Sequence, residues 1–237
     1  MPAKAPVRSM LDERQNPARR RRPEKTTSAT LAYQRLRQDI LRGELKPGQK
    51  LQIDLVSARY GVGANPVREA LNRLSSERLV DRRDQRGFFV PPISIERLRE
   101  LVKTRCWLEG KALEESIANR DQAWEDGLML AYHRLLRTPW NLPDGSLGGN
   151  PEWEERHRAF HRALIAACGS TWLIGFCDDL MAQAERYRHI AMSSVYPNRI
   201  GNDEHRGIMD AALDGDAALA YRRLVDHYQL TVSIIEG

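Results

Sequence analysis

The stretch GVGANPVREALNRLSSERLVDRRDQRGFFVP, residues 61–91, decides the fold of the N-terminal part of the chain. Asn65 and Pro66 predict the start of a helix, because Asn is a good helix cap and Pro suits the first helical position. Short runs around a polar turn then predict a hairpin, with strands at Leu79–Arg83 and Gly87–Val90. An arginine-bearing helix followed by a basic hairpin is typical of a helix that lies in a DNA groove beside a wing that contacts the flanking backbone.

Two more helices precede this stretch. Apolar residues recur at helical spacing over residues 28–42, and Gly43 ends that helix. A second helix is predicted from Ile53 to Tyr60. The order helix, helix, helix, hairpin, closed by a proline pair, predicts a winged helix-turn-helix domain over residues 28–92.

The rest of the chain, residues 93–237, is predicted to be helical, with no convincing strand. Thr138–Asn150 is rich in Pro, Gly and Asn and predicts a surface loop. Apolar periodicity and glycines at the junctions predict helices at about residues 94–119, 121–137, 152–168, 171–193, 199–214 and 216–235. The expected fold class is therefore mainly α: an N-terminal winged helix-turn-helix followed by an all-α bundle of about six helices.

The charge of the chain is divided unevenly. Residues 1–95 contain 20 Lys and Arg against 10 Asp and Glu, whereas the remainder contains 17 against 22. Only the first part is therefore expected to face a polyanion such as double-stranded DNA. Residues 1–27 are rich in Pro, Arg and Ala without apolar periodicity, which predicts a disordered basic arm. That arm is either a solvated tail or an additional set of phosphate contacts.

Cysteine usage and hydropathy indicate the compartment. The three cysteines, Cys106, Cys168 and Cys177, are scattered and lack a C-x-x-C spacing, which fits a reducing environment. No run of about eighteen apolar residues occurs, so no membrane span and no membrane partner are expected. The arginine cluster at residues 19–22 has no apolar segment behind it and does not predict a secretory signal. The expected location is the cytoplasm.

Four residues are candidates for contacts with DNA. Arg68 lies one turn into the third helix, where it can pair bidentately with O6 and N7 of guanine. Asn65 can contact a base or a phosphate, or it can merely cap the helix. In the wing, Arg86 and Gly87 can lie against a phosphate or the minor groove, because Gly lets the backbone approach closely. The alternative for the wing is a solvated hairpin.

Two motifs give these elements a family likeness. Residues 45–51, LKPGQKL, are followed by PVREAL at residues 66–71 and by Gly87 at the wing tip. With these motifs, residues 29–93 resemble the GntR family of bacterial transcription regulators, which implies operator binding. Family members generally carry Ser-Arg-Thr or Ser-Arg-Ser just before the second motif, whereas Ala64 stands here in place of that first base-reading arginine. The resemblance therefore assigns DNA contacts to Gly87 and to the arginine of PVREAL.

Four of the six histidines are candidate metal ligands. His157 and His161 are four residues apart, so they stand on one face of a helix. His205 and His227 lie on two later helices, and antiparallel packing in a bundle could bring all four around one divalent transition metal. The alternative is that each histidine satisfies hydrogen bonds at a helix surface.

The helical part resembles the FadR C-terminal domain, or FCD, which accompanies winged helices of this family. Metal-binding members share Asp-x-x-x-His on one helix and two later histidines, and His157 occupies the Asp position here. An all-imidazole site favours Zn or Ni over Mg or Ca, and it leaves the charge of a divalent ion uncompensated, which favours an anionic effector. Arg105 matches an inward arginine of that domain and could clamp a carboxylate, or it could pair with Glu109 one turn away.

Two further stretches narrow the resemblance. Residues 167–173, ACGSTWL, and residues 185–188, ERYR, together with His157, look like the CsiR branch, whose members respond to short dicarboxylates such as glutarate. Under that resemblance Tyr187 and Arg188 line the effector pocket. Equally, the stretch around them could be a solvated or dimer-facing stripe.

These patterns predict a transcription regulator rather than an enzyme. We expect a homodimer that places two recognition helices on a palindromic operator and binds a small carboxylate in the bundle; the resemblance implies repression relieved by that effector. A metal-free regulator of a larger apolar effector is one alternative, and a metal-dependent hydrolase is a weaker one. The hydrolase lacks its base, because Arg158 stands where a zinc hydrolase of the His-Glu-x-x-His type has Glu.

Overall fold

A computed structural model of the chain describes residues 27–141, 150–195 and 202–236. Its N-terminal domain consists of α1 (Ser28–Leu41), β1 (Lys50–Leu51), α2 (Ile53–Tyr60), α3 (Ala64–Ser76), β2 (Asp81–Arg83) and β3 (Gly87–Phe89). The strands form one antiparallel sheet in the order β1-β3-β2. The expected winged helix-turn-helix is confirmed, with β1 as a further strand that was not predicted.

The buried faces of α1 and α3 form the core of this domain. The Thr27 hydroxyl accepts a hydrogen bond from the N–H of Thr30 at 3.1 Å, which caps α1 and fixes its start. The two helices pack together through apolar side chains that are fully shielded from solvent, namely Ala32, Leu36, Val67, Leu71 and Leu74. Because α3 buries this face, its opposite face is exposed.

The start of α3 differs from the prediction. The helix begins at Ala64, Gly63 occupies the cap position with an extended backbone, and no side chain caps the helix. Asn65 is therefore the second residue of α3, and the prediction that it caps the helix is wrong. Pro66 is tolerated in third place because the first N–H groups of a helix have no intrahelical partner, so the missing N–H is not needed there.

Six helices follow within the described residues, as predicted. They are α4 (Ile95–Ala118), α5 (Gln122–Leu136), α6 (Pro151–Leu164), α7 (Thr171–Val195), α8 (Asn202–Leu213) and α9 (Ala217–Glu236). Three parts of the predictions lie outside the described residues: residues 1–26 of the basic arm, 142–149 of the surface loop and 199–201 of the fifth helix of the bundle.

Asn150 fixes the start of α6, the helix that carries the first two candidate histidines. Its side-chain oxygen accepts a hydrogen bond from the N–H of Glu152 at 3.0 Å, and Pro151 fills the first helical position. The Asn150 amide also donates to the backbone oxygen of Pro139 at 2.8 Å, which ties the helix to the end of the preceding segment. These bonds set the rotation of α6 and hence the direction of its histidines.

The helix α7 connects the two parts of the molecule. It packs against α4, α6 and α9 within the bundle and against α1 of the winged helix. Among the described residues, no helix has both the length and the apolar character that a membrane crossing requires.

Candidate metal centre and DNA-binding surface

Four histidines from three helices converge in the core of the bundle. His157 and His161 lie on α6, His205 on α8 and His227 on α9, and all four side chains are buried. Each ring offers one nitrogen to a set in which all atoms lie within 4.8 Å of one another. The cluster could hold a metal ion, and the rings do not point apart into solvent.

The spacing of the two α6 histidines fits a transition metal. Nε2 of His157 and Nε2 of His161 are 3.2 Å apart. Two nitrogens bound to one tetrahedral zinc at about 2.1 Å are separated by about 3.4 Å. The observed separation therefore needs little adjustment for both rings to bind the same ion.

Hydrogen bonds to the outer nitrogens orient two of the rings. Nδ1 of His227 lies 2.7 Å from Oε2 of Glu204, and Nδ1 of His161 lies 3.2 Å from the hydroxyl of Tyr228. With Nδ1–H donating to these oxygens, the Nε2 lone pairs face the centre of the cluster. Glu204 and Tyr228 were not predicted from the sequence, where the available signal is that each adjoins a candidate histidine.

Burial keeps the α6 histidines uncharged. It lowers the pKa of His157 and of His161 well below the ordinary value of 6.5, and Arg188 lowers that of His157 further, as His227 does that of His161. Both rings are therefore neutral at pH 7, so they can bind a metal without first losing a proton.

Of the two roles that the sequence left open for Arg105, the structure shows the pair with Glu109. Its guanidinium pairs with Glu109 one turn away, with Nε donating at 2.6 Å and Nη2 at 3.2 Å, and both side chains are buried. The guanidinium also lies over the ring of Tyr228, 3.9 Å from its centroid, and the Tyr228 hydroxyl donates to Glu109. Arg105, Glu109, Tyr228 and His161 thus form one hydrogen-bonded network. It holds the ring of His161, a candidate metal ligand, through Nδ1.

A small cavity adjoins the cluster. Its volume is about 20 Å³, roughly one water molecule. Its walls combine apolar and charged side chains, namely Leu98, Val102, Arg105, His157, Ala184, Arg188, His227, Tyr228 and Thr231. Any ligand larger than water must displace some of these side chains to enter.

The stretch 185–188 is not a solvated stripe. Glu185, Arg186, Tyr187 and Arg188 are all at most 8% exposed. Arg188 lines the cavity and donates through Nη2 to Glu154 on α6, and its role in effector binding stays a prediction. Tyr187 packs in the apolar core of the bundle instead, outside the residues that line the cavity.

The candidate DNA contacts are divided between α3 and the wing. Arg68 is exposed on α3, and its Nη1 lies 3.4 Å from Oδ1 of Asn65. A cleft of about 300 Å³ separates the helix from the wing and is lined by Arg68, Asn72, Arg82, Arg83, Asp84, Gln85, Gly87 and Phe88. Arg86 is exposed in the turn but is not among these lining residues. Asn72, one turn beyond Arg68, was not predicted.

The local geometry of the wing explains its residue types. Gly87 has a φ of +91°, a left-handed conformation that residues other than Gly rarely adopt. Next to it, the guanidinium of Arg83 lies over the ring of Phe89, 4.4 Å from the centroid. On α3, in contrast, Arg73 turns away from the cleft, pairs with Glu77 at 3.4 Å and stacks on Tyr33.

A winged helix with an exposed arginine face, joined to a helical domain with a buried histidine cluster, defines a DNA-binding transcription regulator with a separate regulatory domain. The sequence matches the model of bacterial regulatory proteins of the gntR family over residues 29–90 and that of the FCD domain over residues 100–230. The chain belongs to the GntR family, and its helical part is an FCD domain.

Similarity to known regulators supports this assignment. The chain is 38% identical to the uncharacterized HTH-type transcriptional regulator BphR of Paraburkholderia xenovorans, over 86% of this chain and 83% of the relative. It is 33% identical to the HTH-type transcriptional repressor GlaR of Escherichia coli, over 89% of this chain and 97% of the relative. Among solved structures, E. coli McbR/YncC has the same fold, with a TM-score of 0.69, 21% identity and coverage of 89% and 97%. These relatives are regulators and not enzymes, as predicted.

Proposed function

We propose that this regulator is a repressor that holds a divalent transition metal in its helical domain and releases its operator when a small carboxylate binds beside that metal. The observation that carries the proposal is the convergence of four buried imidazole nitrogens within 4.8 Å. His157, His161, His205 and His227 are the proposed ligands.

The donor set supports zinc or nickel as the metal. Neutral imidazole nitrogens suit borderline transition metals, whereas Mg and Ca prefer oxygen ligands. No carboxylate belongs to the described cluster, so the ion would keep its full positive charge. A bound metal would supply that charge, and an incoming oxygen anion would add a fifth ligand to the four histidines or replace one of them.

The surroundings of the cluster support a small anionic effector. The adjoining cavity has room for about one water, and Arg105, Arg188 and two candidate ligands are in its walls. A short dicarboxylate such as glutarate could bind the metal through one carboxylate and reach Arg188 with the other after that side chain moves. Nothing in this small, charged cavity favours a large apolar effector.

The exposed face of α3 and the wing support operator binding by Asn65, Arg68, Arg86 and Gly87. Arg68 reads bases in this proposal, while the wing residues contact the backbone. Regulators of this family bind operators and typically act as dimers. We expect a homodimer on a palindromic site, in which two copies of α3 occupy successive major grooves. Relatives named repressors support the direction of regulation.

A thermal-shift screen tests the metal and the effector together. Protein prepared without a histidine tag is stripped of metal and melted with C4 to C6 dicarboxylates, in the presence and absence of zinc. A ligand of the native state raises the melting temperature by mass action. We expect a rise with zinc alone and a further rise with a dicarboxylate only when zinc is present. No response to zinc or nickel would refute the metal site, and equal responses to the acid with and without metal would refute the proposed ligation.

A further inference from the structure

Glu185 joins the DNA-binding domain to the helix that carries the histidines. Its carboxylate, 5% exposed on α7, accepts a hydrogen bond from Nη2 of Arg37 on α1 at 2.8 Å. The same oxygen, Oε2, accepts from Nη1 of Arg158 on α6 at 2.7 Å. Arg158 directly follows His157 in the chain. One buried carboxylate therefore holds a residue of each domain.

The same part of α7 also forms a wall of the cavity beside the metal centre. Ala184 and Arg188, on either side of Glu185 in the chain, line that cavity. Arg188 is bonded to Glu154, which lies on α6 one turn before Arg158. Glu154 and Glu185 are close enough for their negative charges to interact. A ligand that removed Arg188 from Glu154 would thus change the charge next to Glu185.

Two further bonds attach this turn of α7 to the winged helix. Gln183 donates to the backbone oxygen of Glu77 just beyond α3, and Arg186 donates to the backbone oxygen of Pro91 at 2.6 Å. Residues 183–188 are within one continuous helix, so a shift of its cavity side moves these contacts as well. The segment just beyond α3 is therefore bonded to the same turn of α7 that lines the cavity.

We infer that Glu185 is the positioning residue through which the metal centre controls DNA binding. This inference rests on the proposed function. In the ligand-free state, Glu185 holds Arg37 and fixes the winged helix against α7. When a carboxylate takes Arg188, the freed carboxylate of Glu154 repels that of Glu185, which shifts Glu185 away from Arg37. The ligand shifts the equilibrium only by its different affinity for the two arrangements.

Glu185→Gln tests the inference in the full-length protein. An operator duplex is first selected from random DNA with the wild-type protein, and its affinity is then measured with zinc alone and with zinc plus glutarate. We expect glutarate to weaken wild-type binding about tenfold or more, which is within the usual range of allosteric coupling. In Glu185→Gln the ratio of the operator affinity without glutarate to that with glutarate falls to about twofold or less. The affinities of the variant for zinc and for glutarate stay within about threefold of wild type.

Asp178→Asn is the matched control. Asp178 on α7 pairs with Arg162 on α6 at 3.0 Å, an ion pair between the same two helices that does not reach the winged helix. We expect this control to keep the wild-type ratio. Arg37→Gln breaks the contact from the other domain and should lower the ratio as Glu185→Gln does, and the double variant should lower it no further. Arg37→Gln also serves as the test if Glu185→Gln does not fold.

The outcomes separate the two proposals. If the wild-type protein binds zinc and glutarate and releases DNA, but both variants keep the wild-type ratio, the coupling role of Glu185 is wrong and the proposed function stands. An equal loss of coupling in Asp178→Asn would also overturn the role of Glu185. If glutarate and its C4 and C6 homologues leave wild-type operator affinity unchanged, the proposed function fails and this inference fails with it.

Discussion

The hydroxyl of Tyr228 lies 3.2 Å from Nδ1 of His161, and the same hydroxyl donates its proton to Glu109. The oxygen is therefore left as an acceptor for Nδ1–H, and the Nε2 lone pair of His161 faces the other rings. Burial raises the pKa of Tyr228 well above its ordinary value, so the proton stays on the hydroxyl. Tyr228 thus sets both the tautomer and the direction of one candidate ligand.

Tyr228→Phe should weaken zinc binding without removing a ligand. Loss of an orienting partner behind a metal-bound histidine typically costs about 10- to 100-fold in metal affinity. Competition with a chromophoric chelator measures the affinity. Tyr221→Phe, on the same helix but 40% exposed, is the control and should bind zinc like the wild type. Wild-type affinity in Tyr228→Phe would show that the hydroxyl does not orient His161.

His161→Ala should abolish most of the stabilisation by zinc. The wild-type protein gains about 2.7 kcal/mol when free zinc is at a hundred times its dissociation constant. The variant lacks one of the two α6 nitrogens that lie 3.2 Å apart and should gain little at the same zinc concentration. Melting curves with and without zinc give the difference, and His133→Ala, exposed on α5, should respond like the wild type. An undiminished zinc response in His161→Ala would argue against this site.

Arg68→Ala should weaken specific operator binding far more than Arg73→Ala does. Both substitutions remove one positive charge from α3, but only Arg68 lines the cleft between the helix and the wing. A bidentate pair with guanine is worth about 1–3 kcal/mol, and its loss should relax preference at one base position. Fluorescence anisotropy with specific and scrambled duplexes measures both effects. Equal losses in the two variants would indicate a general charge effect instead of base reading.

The stabilising effect of Glu185 should disappear in acid. Burial acts to raise the pKa of Glu185, but Arg37 and Arg158 outweigh it and hold the pKa below the ordinary value of 4.5. A carboxyl group with a lowered pKa in the folded state stabilises the protein above its unfolded pKa and loses this effect as pH falls through the folded pKa.

The measurement compares the wild-type protein with Glu185→Gln. At pH 7 the variant should be less stable by about 1.5–3 kcal/mol, the usual contribution of hydrogen bonds to a charged group. The difference should shrink as pH is lowered through about 4.5 and below. Thermal melts across this pH series test the expectation, and a difference that grows towards acid would show that Glu185 is not ionised in the native protein.

The sequence was sufficient for the fold because its signals are local. Helical periodicity and the motif at residues 66–71 predicted the winged helix and the six-helix bundle. The strand β1 was missed, since Lys50 and Leu51 have no periodicity of their own and are extended only because they pair with β3. The start of α3 was placed too late, because Pro66 was assigned to the first helical position.

The candidate site was predictable in part. The four-residue spacing places His157 and His161 on one face, and antiparallel packing brings later helices to that face. Ion-pair partners could not be predicted, because Arg37 and Glu185 are 148 residues apart in a chain with 37 basic and 32 acidic side chains. Only the packing of α1 on α7 selects that pair from the many possible ones.

Both guanidinium groups beside the histidines already hold a carboxylate of the protein, since Arg105 is bonded to Glu109 and Arg188 to Glu154. Under the proposed function, an acid that enters from solution must exchange places with one of these carboxylates, and each new ion pair replaces a similar one. The exchange of ion pairs therefore adds little free energy, and the bond to the metal would supply most of the affinity for the acid. Protein that has lost its metal would then respond to the acid only at much higher concentrations.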